Sequence, residues 1–405
     1  MNIQYVQGNP IFTAINKVPK QYPYLTEDLE TDVIVIGGGV TGAIASYYFS
    51  ENNINTVVLE KSRVGFGSSS VTTSLLQYEL DQNLNVLTEA ISVEDGIKAY
   101  KLGLKALKEI DNFIKKYGNN CDYEPKDTLL YTSQNIEKKE IYEEYKLRKE
   151  NGLDVEFIDE KNNPFSFDLK AGVCSKLGGA QLDPYKYTHQ LLDVACVNGV
   201  RVYENTEVVK INYEKEGVEV ETNYGYKVKG KIIIVATGYD TRIFTNRNFG
   251  TMTTTFNIAT KPIKNFNGWK NRVLIRDNSD PYNYLRTTGD NRIIIGGEDI
   301  EFRPQMLKEE VAYQKYSILE NRLKAMFPKI KNVEIEFKYC GAFASTKDNL
   351  GFLGPDPNKK NLWYCLGYGA NGILFAILGG MMLSKLFLGE KSEDLRLFKV
   401  DRFDN

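Results

Sequence analysis

The chain has 405 residues, and 51 Lys and Arg against 53 Asp and Glu give it a formal net charge of −2. This balance excludes a strongly basic nucleic-acid binder, and a hydrophobic content of 42% excludes a disordered chain. One histidine, His189, and five scattered cysteines show no pattern typical of a zinc site, a Ser-His-Asp triad or a disulfide framework. The first residues lack a charged stretch followed by an apolar run. We therefore expect a cytoplasmic globular protein of two or three domains that binds no metal.

The first strong pattern is a buried strand followed at once by glycines. It comes after an N-terminal arm over residues 1–30, which is polar and dotted with prolines. The run Asp32-Val33-Ile34-Val35-Ile36 predicts the strand, and Gly37-Gly38-Gly39-Val40-Thr41-Gly42 satisfies the G-x-G-x-x-G pattern. A helix is predicted over residues 43–52, and the next strand ends at the acidic Glu60. This order of strand, glycines, helix and acid-ended strand is typical of a dinucleotide-binding unit.

Each glycine of this pattern has a physical role. Gly37 permits a tight turn, Gly39 lets the backbone approach a pyrophosphate, and Gly42 allows the helix to pack closely on the strand. The helix N-terminus adds N–H donors and a positive dipole end. Glu60 is placed to accept hydrogen bonds from a ribose diol. The pattern by itself does not separate FAD from NAD.

The middle of the chain alternates predicted helices and strands. A long helix is predicted to begin at Ser92 and to end before Gly118, because apolar residues recur between them at helical spacing. The further predictions, in chain order, are a charged helix over 137–150, a helix opened by Asp183-Pro184, a β-meander over 208–222, a buried strand over 232–236, strands over 282–297 and a helix over 305–327.

Two later glycine-containing segments follow a buried strand or precede a helix. Thr237-Gly238 ends the strand over 232–236, where the backbone could again approach a dinucleotide, although an ordinary strand-to-turn connection fits as well. The loop over 367–373 leads into an apolar stretch that contains Lys385. The uncharged part of that stretch is shorter than the roughly 20 residues of a membrane span. We predict a buried helix, in which Gly379 and Gly380 suit close packing against another backbone.

Taken together, these motifs resemble the D-amino acid oxidase-like family of FAD enzymes, which includes glycine oxidase and monomeric sarcosine oxidase. The resemblance runs from Thr31 onward over nearly the whole chain. It implies an α/β fold with a Rossmann-like FAD-binding domain and a second, α+β substrate domain that carries an antiparallel sheet. The segments that carry it are the glycine pattern with Glu60-Lys61, Gly67-Ser68-Ser69, Thr206-Glu207-Val208, Ala236-Thr237-Gly238, Thr346-Lys347-Asp348 and the loop over 367–373.

The resemblance also implies which residues hold FAD. Glu60 and Lys61 would hold the adenosine ribose, and the Val208 backbone would meet adenine. A helix that begins after the loop over 367–373 could also stabilise the negative charge that reduced flavin carries near N1, although an N-capped helix with a packing role fits that segment as well. The other implied contacts are Gly67 and Ser68, then Thr72, Thr73, Ser74 and Leu75 beside the flavin, Thr237 and Gly238, Gly341, and Ala370, Asn371, Gly372, Ile373 and Leu374 near the flavin pyrimidine edge.

The sequence departs from the family pattern on the substrate side. Sarcosine oxidase-like members carry His and Arg in the loop after Gly67, whereas Gln77 stands here in place of a carboxylate-binding Arg, so sarcosine is not the expected substrate. Tyr368 replaces a frequent His. The position at which some members attach flavin covalently aligns with Gly341 rather than with the adjacent Cys340, so we expect non-covalent FAD.

The segment over residues 282–289 resembles the Tyr-x-x-Pro-Arg-x-x-Gly stretch of glycine oxidase and yeast-type D-amino acid oxidases. Arg286 would bind a substrate carboxylate through two parallel hydrogen bonds, and Tyr284 would close the pocket. Lys347 would add positive charge near the flavin. The alternatives are an Arg286 paired with an acid on a sheet face, a solvated Lys347 and a structural role for His189 within a helix.

We therefore predict a discontinuous FAD-binding domain over 1–88, 171–240 and 341–405, and a substrate domain over 89–170 and 241–340. The predicted reaction is oxidation of the C–N bond of an amine or amino acid by hydride transfer to flavin N5, with oxygen as the electron acceptor. No nucleic-acid partner and no membrane span are expected. Two alternatives stay open: an FAD-dependent dehydrogenase of a 2-hydroxy acid or polyol phosphate with another acceptor, and a flavin-containing binding or assembly protein without turnover.

Overall fold

The computed structural model describes residues 4–404, which divide into two compact units. Unit 1 contains the segment that ends at Ala14, together with Val71–Asp183 and Met252–Phe343. Unit 2 contains Ile15–Ser70, Pro184–Thr251 and the segment from Ala344 onward. Each unit is therefore built from three separate segments of the chain, as in a protein with two discontinuous domains.

The secondary structure alternates helices and strands along the whole chain. In chain order the elements are β1 (Val6–Gly8), α1 (Ile11–Ile15), β2 (Leu29–Glu30), β3 (Val33–Ile36), α2 (Val40–Glu51), β4 (Thr56–Leu59), β5 (Leu75–Gln77), α3 (Leu84–Ala90), α4 (Val93–Tyr117), β6 (Glu124–Thr132), α5 (Lys138–Glu150), β7 (Val155–Asp159), β8 (Ala171–Gln181), α6 (Pro184–Val197), β9 (Arg201–Tyr203), β10 (Val208–Tyr213), β11 (Val218–Thr222), β12 (Lys227–Gly230), β13 (Ile232–Val235), β14 (Thr251–Thr260), β15 (Leu274–Asp277), β16 (Asn283–Thr287), β17 (Ile293–Glu301), α7 (Glu309–Met326), β18 (Ile335–Ser345), β19 (Phe352–Pro355), β20 (Leu362–Leu366) and α8 (Gly372–Phe387).

Unit 2 is built on a six-stranded sheet in the order β19-β20-β13-β3-β4-β9. All its neighbouring strands run parallel except β19, which pairs antiparallel with β20 at the edge. Every residue of β3, β4 and β13 is buried, as expected where helices cover both faces of a parallel sheet. The predicted meander is also confirmed, because β10, β11 and β12 pair antiparallel in sequence and β2 joins β12. The expected Rossmann-like architecture is therefore confirmed.

The predicted C-terminal buried helix is α8, which packs against α2 within unit 2. A Cβ added to Gly379 would lie 2.7 Å from Cys365 Sγ, and one added to Gly380 would lie 2.5 Å from the Tyr48 ring. Both glycines therefore allow close packing, but the neighbouring atoms are side chains rather than the backbone that the sequence predicts. Within residues 4–404, no helix combines the length and apolar character needed to cross a membrane.

Unit 1 is built on a ten-stranded sheet in the order β1-β18-β14-β17-β16-β15-β6-β8-β5, with β7 paired to β8. Most neighbours run antiparallel, and β15 with β6 is the parallel pair among the described registers. One face packs against α7 through an apolar core that includes Phe256, Leu285 and Ile295. Because side chains alternate along a strand, Asn257, Tyr284 and their neighbours on the same face point away from that core.

The unit boundaries differ from the predicted domain boundaries at both ends of the first segment. Residues 71–88, assigned from the sequence to the FAD-binding domain, belong to unit 1, because β5 pairs with β8 there. The beginning of the N-terminal arm also belongs to unit 1. It does so because β1 pairs with β18 and places the buried Phe12 in that unit.

A buried cluster of charged side chains joins α5 to the rest of unit 1. Arg148 is fully buried, and its Nε donates to Glu144 Oε1 at 2.7 Å while Nη1 donates to Glu79 Oε1 at 3.0 Å. Glu79 also accepts from Ser175 Oγ at 2.7 Å. A buried ion cluster of this kind holds its elements together mainly because removing one partner leaves an uncompensated charge.

Replacing Arg148 by Met should therefore lower the free energy of unfolding by about 3–5 kcal/mol, because Glu144 and Glu79 would stay buried without a cation. The matched control lies on the same helix: Lys139 and Glu143 form an exposed pair at 3.6 Å. Lys139→Ala should cost less than about 1 kcal/mol. Denaturant unfolding followed by circular dichroism measures both, and equal losses for the two variants would contradict the role given to Arg148.

Candidate active site

The glycine turn of unit 2 has the geometry that the sequence predicts. Gly37 has φ +109°, and a Cβ added there would overlap the carbonyl oxygen of Ala236. A Cβ added to Gly42 would overlap the carbonyl oxygen of Gly37. These two glycines are therefore required by the chain itself, one for the turn and one for the approach of α2 to the end of β3.

Gly39 is different, because the fold does not require a glycine there. Its φ of −75° and ψ of −177° suit any residue, and an added Cβ would meet only Ser69 Oγ, at 3.0 Å. Gly39 is the N-cap of α2 and offers no side-chain cap, while Ser69 Oγ accepts from the Val40 N–H at 2.9 Å. A bare backbone at a helix N-terminus suits a phosphate group, so the residues present fit the pyrophosphate of a dinucleotide.

Glu60 is held beside this turn by two backbone hydrogen bonds. Its Oε2 accepts from the Gly38 N–H at 2.7 Å, and its Oε1 accepts from the Ser62 N–H at 2.8 Å. Burial raises the pKa of Glu60, and both backbone hydrogen bonds oppose that shift. Each carboxylate oxygen keeps a further lone pair, so the fixed carboxylate is ready to accept from ribose hydroxyls.

The Lys61 side chain contacts a different part of unit 2 from the Glu60 side chain. Its Nζ donates to Asp240 Oδ2 at 3.2 Å, on an exposed part of unit 2. The neighbouring candidates Gly67 and Ser68 lie at the short turn Ser68–Ser70, and nothing stands within 4 Å of a Cβ added to Gly67. A ribose contact by Lys61 stays a prediction.

The segment over 236–238 lies beside the glycine turn of unit 2, and it also contacts the loop over 367–373. The Ala236 N–H donates to the Ile36 carbonyl at 2.9 Å, which places Thr237 beside the end of β3. Gly238 has φ +62°, and its carbonyl accepts from the Tyr368 hydroxyl at 2.9 Å. Val208 begins β10 and is buried.

The loop before α8 depends on a close approach of its own glycines. A Cβ added to Gly367 or to Gly372 would overlap the backbone of the other residue. Asn371 is the N-cap of α8 and is buried, with Ala370 before it and Ile373 and Leu374 in the first turn. The Asn371 side chain makes no cap hydrogen bond to α8, and a contact of this helix start with reduced flavin stays a prediction.

In unit 1, the segment predicted to run beside the flavin contains one strained residue. Ser74 has φ +52°, and its buried hydroxyl has no hydrogen-bond partner within residues 4–404. Its N–H donates to Thr72 Oγ1 at 3.2 Å, and Leu75 begins β5. Gln77 is buried in the same strand, opposite Gly179.

The surroundings of Arg286 differ from those expected of a residue that binds a substrate carboxylate. The residue is 1% exposed, and each of its three guanidinium nitrogens donates to a backbone carbonyl. The acceptors are Thr73, Thr287 and Leu182, with the last two at 2.9 Å. Burial lowers the pKa of Arg286 to about 10. These contacts give Arg286 a structural role, since it joins three segments of unit 1; binding of a carboxylate stays a prediction.

The other two substrate-side candidates lie in different units. Tyr284 belongs to unit 1, where its hydroxyl lies 2.9 Å from Thr255 Oγ1. Lys347 belongs to unit 2, is exposed, and lies with Nζ 5.3 Å from the Phe403 ring centroid. A role for Lys347 near the flavin stays a prediction.

Gly341 and Cys340 face opposite sides of β18. A Cβ added to Gly341 would lie 2.5 Å from a Val71 methyl, whereas Cys340 belongs to the apolar core beneath α7. Burial raises the pKa of the Cys340 thiol. A buried thiol of raised pKa is a poor nucleophile, which supports the expectation of non-covalent flavin.

Sequence reasoning missed two pairs of side chains. Arg402 binds Asp348 through two nitrogens, at 2.7 and 2.9 Å, and so ties the last turn of the described chain to the segment after β18. Asp299 and Asp81 lie near Tyr284 and Tyr282 in unit 1. No motif marks any of these acids, because their partners come from distant parts of the chain.

Replacing Gly39 by Ala should weaken FAD binding by about tenfold or more, because the added methyl would stand where the pyrophosphate is expected. The fold should tolerate it, since only Ser69 Oγ lies near. Fluorescence titration of flavin-stripped protein with FAD measures the affinity. As a control, Gly42→Ala should lower the thermal midpoint itself. Wild-type affinity in Gly39→Ala would contradict the placement of the pyrophosphate.

Replacing Arg286 by Lys should lower the free energy of unfolding by roughly 1.5–3 kcal/mol, because a lysine cannot reach all three carbonyls and leaves at least one unpaired. The exposed Arg242→Lys should stay within about 0.5 kcal/mol of wild type. Denaturant unfolding tests this expectation, and unchanged stability would contradict the structural role. If Arg286→Lys raises the KM only for substrates that carry a carboxylate, that result would support carboxylate binding by Arg286.

Comparison with known proteins agrees with this geometry. A family model described as "DAO: FAD dependent oxidoreductase" matches residues 32–386. The gamma-glutamylputrescine oxidoreductase of Escherichia coli strain K12 is 25% identical over 388 residues, which are 90% of this chain and 85% of that protein. The glycine oxidase of Bacillus subtilis strain 168 is 23% identical over 384 residues, which are 92% of this chain and 97% of that protein.

Two solved structures show the same fold. Glycine oxidase from Geobacillus kaustophilus matches with a TM-score of 0.78 and 19% identity, over 93% of this chain and 100% of that chain. L-proline dehydrogenase from P. horikoshii matches with a TM-score of 0.78 and 19% identity, over 93% of this chain and 98% of that chain. The family model covers most of the chain, and the turn from Gly37 to Gly42 has the geometry that an FAD enzyme needs. The chain therefore belongs to the DAO family of FAD-dependent oxidoreductases.

Proposed function

We propose that this FAD-dependent oxidoreductase oxidises a C–N bond of an amine or amino acid. The observation that carries the proposal is the match, over 90% and 92% of the chain, to relatives named gamma-glutamylputrescine oxidoreductase and glycine oxidase. An amine and an amino acid share the same reacting group, a carbon that bears both hydrogen and nitrogen. The proposed substrate class is defined by that group.

The surroundings of His189 favour amine oxidation over alcohol oxidation. Removing a hydroxyl proton normally requires a general base, most often histidine. His189 is buried in α6, its ring lies 4.7 Å from that of Tyr185, and neither ring nitrogen has a hydrogen-bond partner within the described residues. Burial lowers the pKa of His189 to about 4. An amine that binds in its neutral form needs no such base, so the dehydrogenase of a 2-hydroxy acid is the weaker alternative.

The bound FAD would supply the hydride acceptor, at flavin N5. The substrate carbon gives up its hydrogen as a hydride while the nitrogen lone pair forms the C=N bond. Water then hydrolyses the resulting iminium ion to a carbonyl compound, and the nitrogen leaves as ammonia from a primary amine or as an amine from a secondary one. The task of this chain is to bind and orient: Gly39 and the start of α2 would hold the pyrophosphate, Glu60 the ribose, and the start of α8 the pyrimidine edge of the flavin.

We further propose that oxygen accepts the electrons and that the protein works in the cytoplasm. The name glycine oxidase of a relative that matches 92% of the chain supports the first proposal. Positive charge near the flavin would favour the first electron transfer to oxygen, and Lys347 and the N-terminus of α8 are the candidates in unit 2. The second proposal is supported by the five cysteines, which are all free thiols.

Anaerobic mixing of the purified yellow protein with panels of amines, amino acids and 2-hydroxy acids tests the function. We expect at least one amine or amino acid to bleach the visible absorption of the flavin, and the 2-hydroxy acids to leave it unchanged. Bleaching by hydroxy acids alone would establish the dehydrogenase alternative, and bleaching by no compound would favour a protein without turnover. Admitting air to the reduced protein should then produce hydrogen peroxide at the turnover rate.

A further inference from the structure

The face of the unit 1 sheet that points away from α7 carries a group of polar side chains on three neighbouring strands. Gly296 of β17 lies in register with Asn257 of β14 on one side and Tyr284 of β16 on the other. A Cβ added to Gly296 would overlap both the Asn257 amide and the Tyr284 ring. The two side chains therefore close over the glycine and present their polar atoms together.

The Tyr284 hydroxyl contacts a threonine hydroxyl and an asparagine amide, and a carboxylate binds the neighbouring Tyr282. The Tyr284 hydroxyl lies 2.9 Å from Thr255 Oγ1 and donates to Asn257 Oδ1 at 3.4 Å. The Tyr282 ring lies 5.7 Å from the Tyr284 ring, and the Tyr282 hydroxyl donates to Asp81 Oδ1 at 3.0 Å. We call this group, with Asp299, the tyrosine–aspartate cluster.

Two fully buried side chains of this region carry a polar atom without a hydrogen-bond partner within residues 4–404: Asn257 Nδ2 and the Tyr339 hydroxyl. Asn257 is 1% exposed and Tyr339 is 0% exposed. Tyr339 also interacts electrostatically with Tyr284, so its hydroxyl belongs to the same region. A buried polar atom without a partner costs about 1–3 kcal/mol, so native proteins usually satisfy such atoms with a ligand or an ordered water.

The charge of the cluster indicates what kind of ligand it binds. Asp299 and Asp81 both interact electrostatically with Tyr282 and Tyr284. Burial raises the pKa of Asp299 to about 6; the Thr255 hydroxyl opposes this shift and the charge of Asp81 adds to it. A cation placed beside these carboxylates would stabilise their ionised form. By contrast, the adjacent Glu298 is already paired with Lys315 of α7, at 3.1 Å.

We propose that the tyrosine–aspartate cluster binds a second, non-reacting ammonium group of the substrate, so that the substrate class is a diamine-like molecule. The proposal rests on the function proposed above. The reacting nitrogen has to be neutral to release its lone pair, and a carboxylate beside it would hold it protonated. Asp299 and Asp81 therefore suit the other nitrogen. Asn257 Nδ2 and the Tyr339 hydroxyl are donors that an oxygen of the same substrate, or a water held by it, would satisfy.

Putrescine and butylamine are the probes, because they share a reacting end and differ in the second ammonium group. The FAD-loaded protein is mixed anaerobically with each, and the concentration dependence of flavin bleaching gives an apparent dissociation constant. Wild type should require less putrescine than butylamine. Asp299→Asn should raise the constant for putrescine by about tenfold or more and leave that for butylamine nearly unchanged, because one charged hydrogen bond is lost.

Glu298→Gln is the matched control, because it removes the same charge from the neighbouring residue of β17. The charge of Glu298 acts only weakly on Asp299, so this variant should shift the constant for putrescine far less than Asp299→Asn does. Should Asp299→Asn fail to fold, Asp81→Asn removes the second carboxylate of the cluster and should weaken putrescine binding in the same selective way. An unchanged constant for putrescine in the aspartate variant would overturn the proposal, and so would an equal loss for both amines.

A direct binding measurement distinguishes a failure of this proposal from a failure of the proposed function on which it rests. If no amine bleaches the flavin of the wild type, the proposed function fails. Calorimetric titration of putrescine into the FAD-loaded wild type and Asp299→Asn then tests the cluster alone. Binding to the wild type that is about tenfold weaker in the variant supports an ammonium site; equal binding, or none to the wild type, overturns it.

Discussion

The close approach of α2 to the end of β3 is the constraint on which the cofactor-binding unit depends. A side chain on Gly42 would overlap the carbonyl oxygen of Gly37, so the helix can begin at this depth only with glycine at that position. The same turn brings the Gly38 N–H to Glu60 and the Gly37 backbone to that of Ala236. One turn thus fixes the helix N-terminus, the acid at the end of β4 and the end of β13. At Gly39 the fold does not require a glycine, and we propose that the lack of a side chain there serves the pyrophosphate.

In unit 1, one sheet provides both an apolar core and the polar face on which we propose that the substrate binds. Strand alternation sends Phe256 and Leu285 into the apolar core under α7 and sends Asn257, Tyr284 and Arg286 to the other face. That second face is polar and largely buried, and burying polar groups is unfavourable unless they find partners. Arg286 finds backbone carbonyls, whereas part of the tyrosine–aspartate cluster does not. A polar substrate is the physical explanation that we propose for that difference.

Local patterns predict the elements of this fold better than they predict its side-chain contacts. The spacing of apolar residues after Ser92 predicts α4 almost to the residue, because Ser92 accepts from the Asp95 N–H and Gly118 ends the helix with φ +86°. The glycine pattern predicts the turn because its constraints are local.

Contacts between distant segments escape such patterns. The Arg286 guanidinium donates to the carbonyls of Thr73 and Leu182, which lie far away in sequence. The family motif predicts instead that this guanidinium binds a substrate carboxylate. Asp299 follows Glu298, whose φ of +59° interrupts the regular alternation of β17. Neither the face on which Asp299 lies nor its proximity to Asp81 can therefore be read from residue spacing.

In the proposed reaction, this chain uses FAD to remove a hydride from a carbon bonded to nitrogen. The most direct test is the rate of flavin bleaching, measured anaerobically at saturating concentration, with an amine substrate and with the same amine deuterated at the reacting carbon. Deuterium should slow bleaching several-fold, because the C–H bond breaks as the flavin is reduced. Equal rates with the two isotopic forms, or a flavin that no amine bleaches, would contradict it.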